Sequence, residues 1–231
     1  MTMHILLFGA TGQTGSSILD QALGAGHKVR AAEREFPDGF ATHDNLEARE
    51  ANLLDPLSDD LLTGIDTVIC AVGLPRDPQT LINPPPLYTE GMVNIVTAMR
   101  KAKVRRLVTI SAAFADPAVD IPHWFRGAAL PLDRILRQMG EMERILRVCE
   151  DIEWTAVRPG WLLDREVTGE YSVSLDNLPK GTLRTRRADL AHFMLECATG
   201  DKHVHERPFI ARKESFALES PAALIEEFLP F

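Results

Sequence analysis

Apolar residues in this chain come as short runs that alternate with stretches of helical spacing. Residues 5–8 (Ile-Leu-Leu-Phe) are apolar without a break, as a strand covered on both faces requires. Ile18, Leu19, Ala22 and Leu23 then fall on one face of a helix that Gly24 and Gly26 close. Further strands are predicted at residues 29–32, 48–53, 67–72, 107–111 and 154–157, each short and most of them rich in β-branched or apolar residues. Between them, Met92, Ile95, Val96 and Met99 mark one amphipathic helix, and Leu132, Ile135, Leu136, Met139 and Leu146 another. After Arg158-Pro159-Gly160 the pattern loosens. Residues 171–175 alternate like a half-buried strand, Asp189 reads as the cap of a helix through residue 196, and residues 222–229 read as a terminal helix.

This β-α-β-α order predicts an α/β fold, a doubly wound parallel sheet with helices on both faces. No low-complexity linker interrupts it, so residues 1–231 are expected to form one domain, with about 160–231 as a small substrate-side extension. Proline-containing segments at 73–86 and 115–131 follow the fourth and fifth strands, at the end of an open parallel sheet where ligands bind.

Composition narrows the function classes. A formal charge of −8 argues against general nucleic-acid binding, because a polyanion repels a net anion. No stretch approaches the ~20 apolar residues of a membrane span, and Met1-Thr2-Met3-His4 carries no basic leader, so a cytoplasmic protein acting on a small molecule is expected, as a monomer or weak dimer. Cys70, Cys149 and Cys197 lie far apart in apolar segments and read as reduced core residues. Lys180, Arg184, Arg186 and Arg187 form the one basic cluster, either a solvated loop, the preferred reading, or a rim that attracts an anionic ligand.

The sharpest chemical motif is Gly9-Ala10-Thr11-Gly12-Gln13-Thr14-Gly15, which leaves a strand and opens a helix. There, unpaired N–H groups and the helix dipole favour a pyrophosphate, provided no side chain blocks the approach. The end of the second strand then chooses the dinucleotide. An acidic side chain binds ribose hydroxyls, whereas an arginine pairs with a 2′-phosphate. This chain has both Glu33 and Arg34. The preferred reading is NADP through Arg34, with Arg30 a weaker helper and NAD open through Glu33.

These residues resemble the atypical short-chain dehydrogenase/reductase group, in particular the NAD(P)H-binding (NmrA-like) proteins near biliverdin-IXβ reductase, also known as flavin reductase. The likeness runs through Gly9–Gly15, Ala71-Val72-Gly73, residues 108–114, Arg158-Pro159-Gly160, residues 168–175 and residues 189–194. It implies a Rossmann-type fold and hydride transfer to a flat acceptor. By that resemblance Gly9, Thr11, Gly12, Gln13, Thr14 and Gly15 hold the phosphates and Arg34 the 2′-phosphate. Ala71, Val72 and Gly73 then wall the adenosine-side ribose, Ser111 and Ala112 flank the nicotinamide, and Pro159 also touches the cofactor.

The departures bear on mechanism. Short-chain dehydrogenases pair a tyrosine with a lysine four residues on; here Ile135 and Met139 stand where that pair is expected, and neither Tyr88 nor Tyr171 has such a lysine. The imidazole that the closer relatives place after the sixth-strand proline is Trp161, which stacks on flat rings but donates no proton to a substrate. Ser111 is the one hydroxyl expected at the nicotinamide. The sequence therefore predicts a reductase of a flavin-, quinone- or tetrapyrrole-like acceptor that takes its proton from water. The rival is a catalytically silent NAD(P)-binding sensor, and a sugar-nucleotide epimerase or dehydratase ranks last. His123-Trp124-Phe125 reads equally as a lid or an anchor. His203 and His205 read as exposed, without a third metal ligand, and Glu141 and Glu143 as intrahelical charge partners.

Overall fold

The structure, a computed structural model, describes residues 2–220; the side chains of His123, Trp124, Ala128 and Phe216 and the expected helix at 222–229 lie outside the described residues. In chain order the elements are β1 (His4–Phe8), α1 (Gln13–Gly24), β2 (Lys28–Glu33), β3 (Leu46–Glu50), β4 (Thr67–Cys70), α2 (Pro78–Ile82), α3 (Glu90–Ala102) and β5 (Arg106–Ile110). There follow α4 (His123–Ala129), α5 (Asp133–Arg147), β6 (Glu153–Pro159), β7 (Trp161–Leu163), β8 (Ser172–Ser174), β9 (Arg184–Arg186), α6 (Arg187–Thr199), β10 (Phe209–Ala211) and α7 (Phe216–Glu219).

The strands pair in the order β3-β2-β1-β4-β5-β6-β10-β8, parallel except for β8, which runs antiparallel to β10; β7 and β9 form a separate parallel pair. This is the Rossmann-like α/β fold the alternating pattern predicts, with the strand order reversing between β1 and β4. Side-chain alternation divides the core between the two faces. Leu6, Phe8, Val68 and Leu107 pack on the α3–α5 side, with Met92, Ile95, Met142 and Leu146. Ile5, Leu7, Ile69 and Val108 pack on the α1–α6 side, with Ile18, Leu19, Leu190 and Met194. All three cysteines are free and buried, and burial pushes the thiols of Cys70 and Cys197 up to about 11 and about 12.

Some local expectations are corrected. The third strand lies a few residues earlier than predicted, because Leu46 and Ala48 pair with β2 while Leu53 leaves the sheet to pack in the core. Asp189 does not cap α6; that place is taken by Arg186. Asp189 is completely buried in the first turn, where it accepts hydrogen bonds from the amides of Thr168 and Gly169 (2.6 and 2.9 Å). The basic cluster is no solvated loop. Arg184 is fully buried, and Arg186 forms a fork with Glu214 (2.6 and 3.0 Å), which holds that carboxyl below its ordinary value. His203 is half-buried, whereas His205 is exposed as expected; both lie in the left-handed region (φ 58° and 59°), bonding Glu206 and the Ile152 carbonyl. Arg30 is buried on Glu47 and the carbonyls of Leu61 and Thr63, away from any cofactor role.

The β1–α1 turn sets the position of everything at the ligand end of the sheet. Gly9 has φ +86°, and a Cβ there would lie 2.7 Å from the Ala71 carbonyl carbon, so β4 runs tight against the turn. A Cβ on Gly15 would come within 1.8 Å of the Gly9 oxygen. A Cβ on Gly12 would meet only that oxygen, at 3.3 Å. Gly15→Ala is therefore expected to lower stability by about 1–3 kcal/mol or more, the cost of overpacking a tight contact. Gly12→Ala should leave the chemical-denaturation midpoint almost unchanged, and equal midpoints for the two variants would contradict this account.

Candidate active site

Gly12 sits at the N-cap of α1 with φ −75° and ψ 162°, and among the described residues no side chain caps this helix. Its first-turn amides thus face the open end of the cleft with the positive end of the helix dipole behind them, a suitable cradle for a phosphate. Gly12 is exposed, Thr14 is buried beneath it, and Gln13 points outward. Gly9 and Gly15 shape the turn through packing, which leaves Gly12 as the glycine that a ligand would meet.

A cleft of about 800 Å³ opens from this turn across the C-terminal ends of the strands. Its walls bring together Gly9, Thr11 and Gly12, the end of β2 at Glu33 and Arg34, and Ala71, Val72 and Gly73 after β4. Gln13 and Gly15 stand outside that lining. Glu33 is already engaged, since its Oε1 accepts the Thr11 amide at 2.7 Å and ties the β2 end to the glycine turn. Arg34 is exposed beside it.

Ala71–Leu74 also wall a second, narrower chamber of about 180 Å³, so the two spaces adjoin along the segment after β4. Ser111, Pro159 and Trp161 lie on this inner chamber, and so does Thr14, which the resemblance places with the phosphates. Ile135 and Met139 lie on it too, at the two places where the dehydrogenase tyrosine and lysine were expected. Trp161 is buried against Phe114 and Phe125 (ring centroids 6.3 and 5.5 Å), and the Arg76 guanidinium lies 4.9 Å from its ring centre. Phe125 is fully buried within α4, which decides for an anchor over a lid as far as that residue goes.

Several contributors were not given their place here by the sequence. Arg76 and Tyr88 line the chamber, and burial pushes the Tyr88 phenol up to about 12. Glu143, read as one partner of an intrahelical pair, is instead 2% exposed and accepts hydrogen bonds from Ser111 Oγ (2.7 Å), Arg158 Nε (2.8 Å) and Arg158 Nη2 (2.5 Å). Arg158 also binds Asp116 at 2.9 Å; burial opposes its charge, but Glu143 and Asp116 outweigh that and raise its pKa above the ordinary value. Partial burial likewise works against a charged Asp116, yet the Ala118 amide and Arg158 hold its carboxyl below the usual range. The sequence did carry one signal for Glu143. It falls three or four residues from Met139 and Leu146 on the apolar stripe of α5, where a carboxylate needs a buried partner.

Comparison with known proteins finds similar sequences and similar folds. An uncharacterized chloroplastic protein of Arabidopsis thaliana is 29% identical over 197 residues, covering 79% of this chain and 68% of that one. The 3-diazoavenalumate denitrifying reductase of a Streptomyces species is 30% identical over 174 residues, covering 69% of this chain and 56% of that one. Among solved structures, a short-chain dehydrogenase/reductase from Veillonella parvula DSM 2008, in complex with NADP, superposes with a TM-score of 0.75 at 16% identity, over 94% of this chain and 100% of that one, which shows the common fold. A family described as NAD(P)H-binding matches residues 9–201, from the first glycine of the turn to just past α6. With the glycine turn, the switch-point cleft and this match together, the chain belongs to the NAD(P)H-binding family.

Proposed function

We propose that this protein is an NADPH-dependent reductase that delivers a hydride to a flat aromatic acceptor, of flavin, quinone or linear-tetrapyrrole type, with the proton coming from solvent. One observation carries the reading. Among the described residues, the ionisable side chains that line the inner chamber are Arg76 and Tyr88, and neither is a competent acid near neutrality. A carbonyl-reducing site needs a proton donor at the reacting oxygen, whereas an electron-poor ring accepts hydride first and is protonated afterwards. The family match and the reductase among the relatives support the same class of chemistry.

When bound, a reduced nicotinamide supplies the hydride, and the chain's own residues bind and orient. The α1 amides around Gly12 hold the pyrophosphate, and Arg34 pairs with the 2′-phosphate. Trp161, stiffened by Phe114 and Phe125, offers a stacking wall. Ile135, Leu136 and Met139 keep the chamber apolar.

NADPH oxidation against a flavin and quinone panel, run beside calorimetric titration, tests the assignment. Turnover is expected, and tight binding without turnover would assign the protein to the silent-sensor class instead. Gly12→Val should abolish dinucleotide binding with the fold retained, because it fills the phosphate approach, and an unchanged affinity would remove the site from this turn. Arg34→Ala should weaken NADPH more than NADH, by about tenfold or more, since a charge-assisted contact is lost only with the former. Equal weakening would make Glu33 the reader and NADH the cofactor. Finally, kcat should be flat across roughly pH 6–9, the range in which a histidine acid would titrate. Trp161→Ala should act chiefly by raising the KM for the acceptor, and a bell-shaped profile would refute the solvent-proton scheme.

A further inference from the structure

Glu143 sits behind the chamber wall, beyond Ser111, and its two oxygens are surrounded by donors. Oε1 takes Ser111 Oγ at 2.7 Å and Arg158 Nε at 2.8 Å, while Oε2 takes Arg158 Nη2 at 2.5 Å and Arg207 Nη1 at 3.4 Å. A guanidinium only donates, so both carboxylate oxygens act as acceptors here, and the proton in the 2.7 Å contact belongs to the serine. The Ser111 amide is spent as well, on the Val157 carbonyl at 2.7 Å. A serine hydroxyl has one proton and two lone pairs. With the proton committed to Glu143, Ser111 presents only lone pairs to the chamber it lines.

We propose that Glu143 is a positioning residue that fixes Ser111 as a hydrogen-bond acceptor, so that this wall selects a ligand N–H and disfavours a ligand carbonyl oxygen. A carbonyl placed there would face lone pair against lone pair, in a setting where an unpaired polar group is costly. Ring N–H groups and primary amides fit. The inference rests on the reductase reading, and deepens it by naming the polarity of the group that Ser111 meets. The N–H has two possible sources, the carboxamide of the nicotinamide and the acceptor ring, and the experiment separates them.

The probes are NADP⁺ against its 3-acetylpyridine analogue, in which a methyl replaces the amide NH₂, and lumiflavin against N3-methyl-lumiflavin as acceptors. In the parent protein one of these pairs is expected to be discriminated by up to roughly tenfold in favour of the N–H member, the value of one neutral hydrogen bond. Ser111→Ala leaves the Glu143–Arg158 fork in place and should bring that ratio close to one. A loss confined to the dinucleotide pair, read as Kd, identifies the carboxamide; a loss confined to the flavin pair, read as kcat/KM, identifies the acceptor. Glu143→Gln should also lower the ratio, toward the member that lacks the N–H, because a Gln amide donates to Ser111 and frees the serine proton for a ligand carbonyl in the chamber. Ratios that stay at the parent value in both Ser111→Ala arms would overturn the proposal, even if Glu143→Gln fails to fold. Failure of the parent protein to bind NADP⁺ or NADPH in the same titration would instead defeat the reductase reading, and this inference with it.

Discussion

The ligand end of this molecule depends on how closely α1 approaches the end of β1. The carbonyl of Gly9 lies so near Gly15 that no side chain fits between them, and Gly9 itself is pressed against the backbone after β4. Two of the three motif glycines are thereby consumed by packing. The consequence is functional, because α1 starts at the point where the strand order reverses, and its amides open into the crevice between β1 and β4. Glu33 tightens the arrangement further by reaching from β2 to the Thr11 amide. That contact places a carboxylate beside Arg34, so two opposite charges meet at one strand end.

A second constraint stiffens the inner chamber. Burying a carboxylate and a guanidinium is tolerable only when each is fully paired, and Glu143 and Arg158 meet that condition with a two-point fork, completed by Asp116, Arg207 and Ser111. The fork joins α5 to β6 and runs directly behind Ser111. The polar network and the aromatic wall of Trp161, Phe114 and Phe125 therefore present different chemistries to the same small space, one directional and one stacking.

The residues after Gly160 are built into the sheet. β10 continues it beside β6, and β8 closes the edge. Arg106, buried at the start of β5, donates to the carbonyls of Cys197 and Lys202 and so ties α6 and the following turn to the central strands. Asp189 clamps the loop at residues 168–170, and the Trp161 amide is held by the Leu183 carbonyl at 2.7 Å. The position of Trp161 thus follows from the segments after Gly160 as much as from β6.

The sequence by itself determined the fold class, the five central strands, the amphipathic helices and the glycine turn, because each rests on local periodicity or on a spacing within one turn. It also named part of the cleft, from Gly9, Thr11 and Gly12 to Glu33, Arg34 and Ala71–Gly73, since residues that follow successive parallel strands must meet at one end of the sheet. It could not assign Asp189, Glu143 or Arg30 correctly. Each is a charged residue whose partner lies 15 or more positions away or on another element, as with Glu143 and Ser111 at a separation of 32. Local rules place such a residue on a solvated face or at a cap, and only the tertiary structure supplies the opposite charge or the backbone amides that make its burial stable.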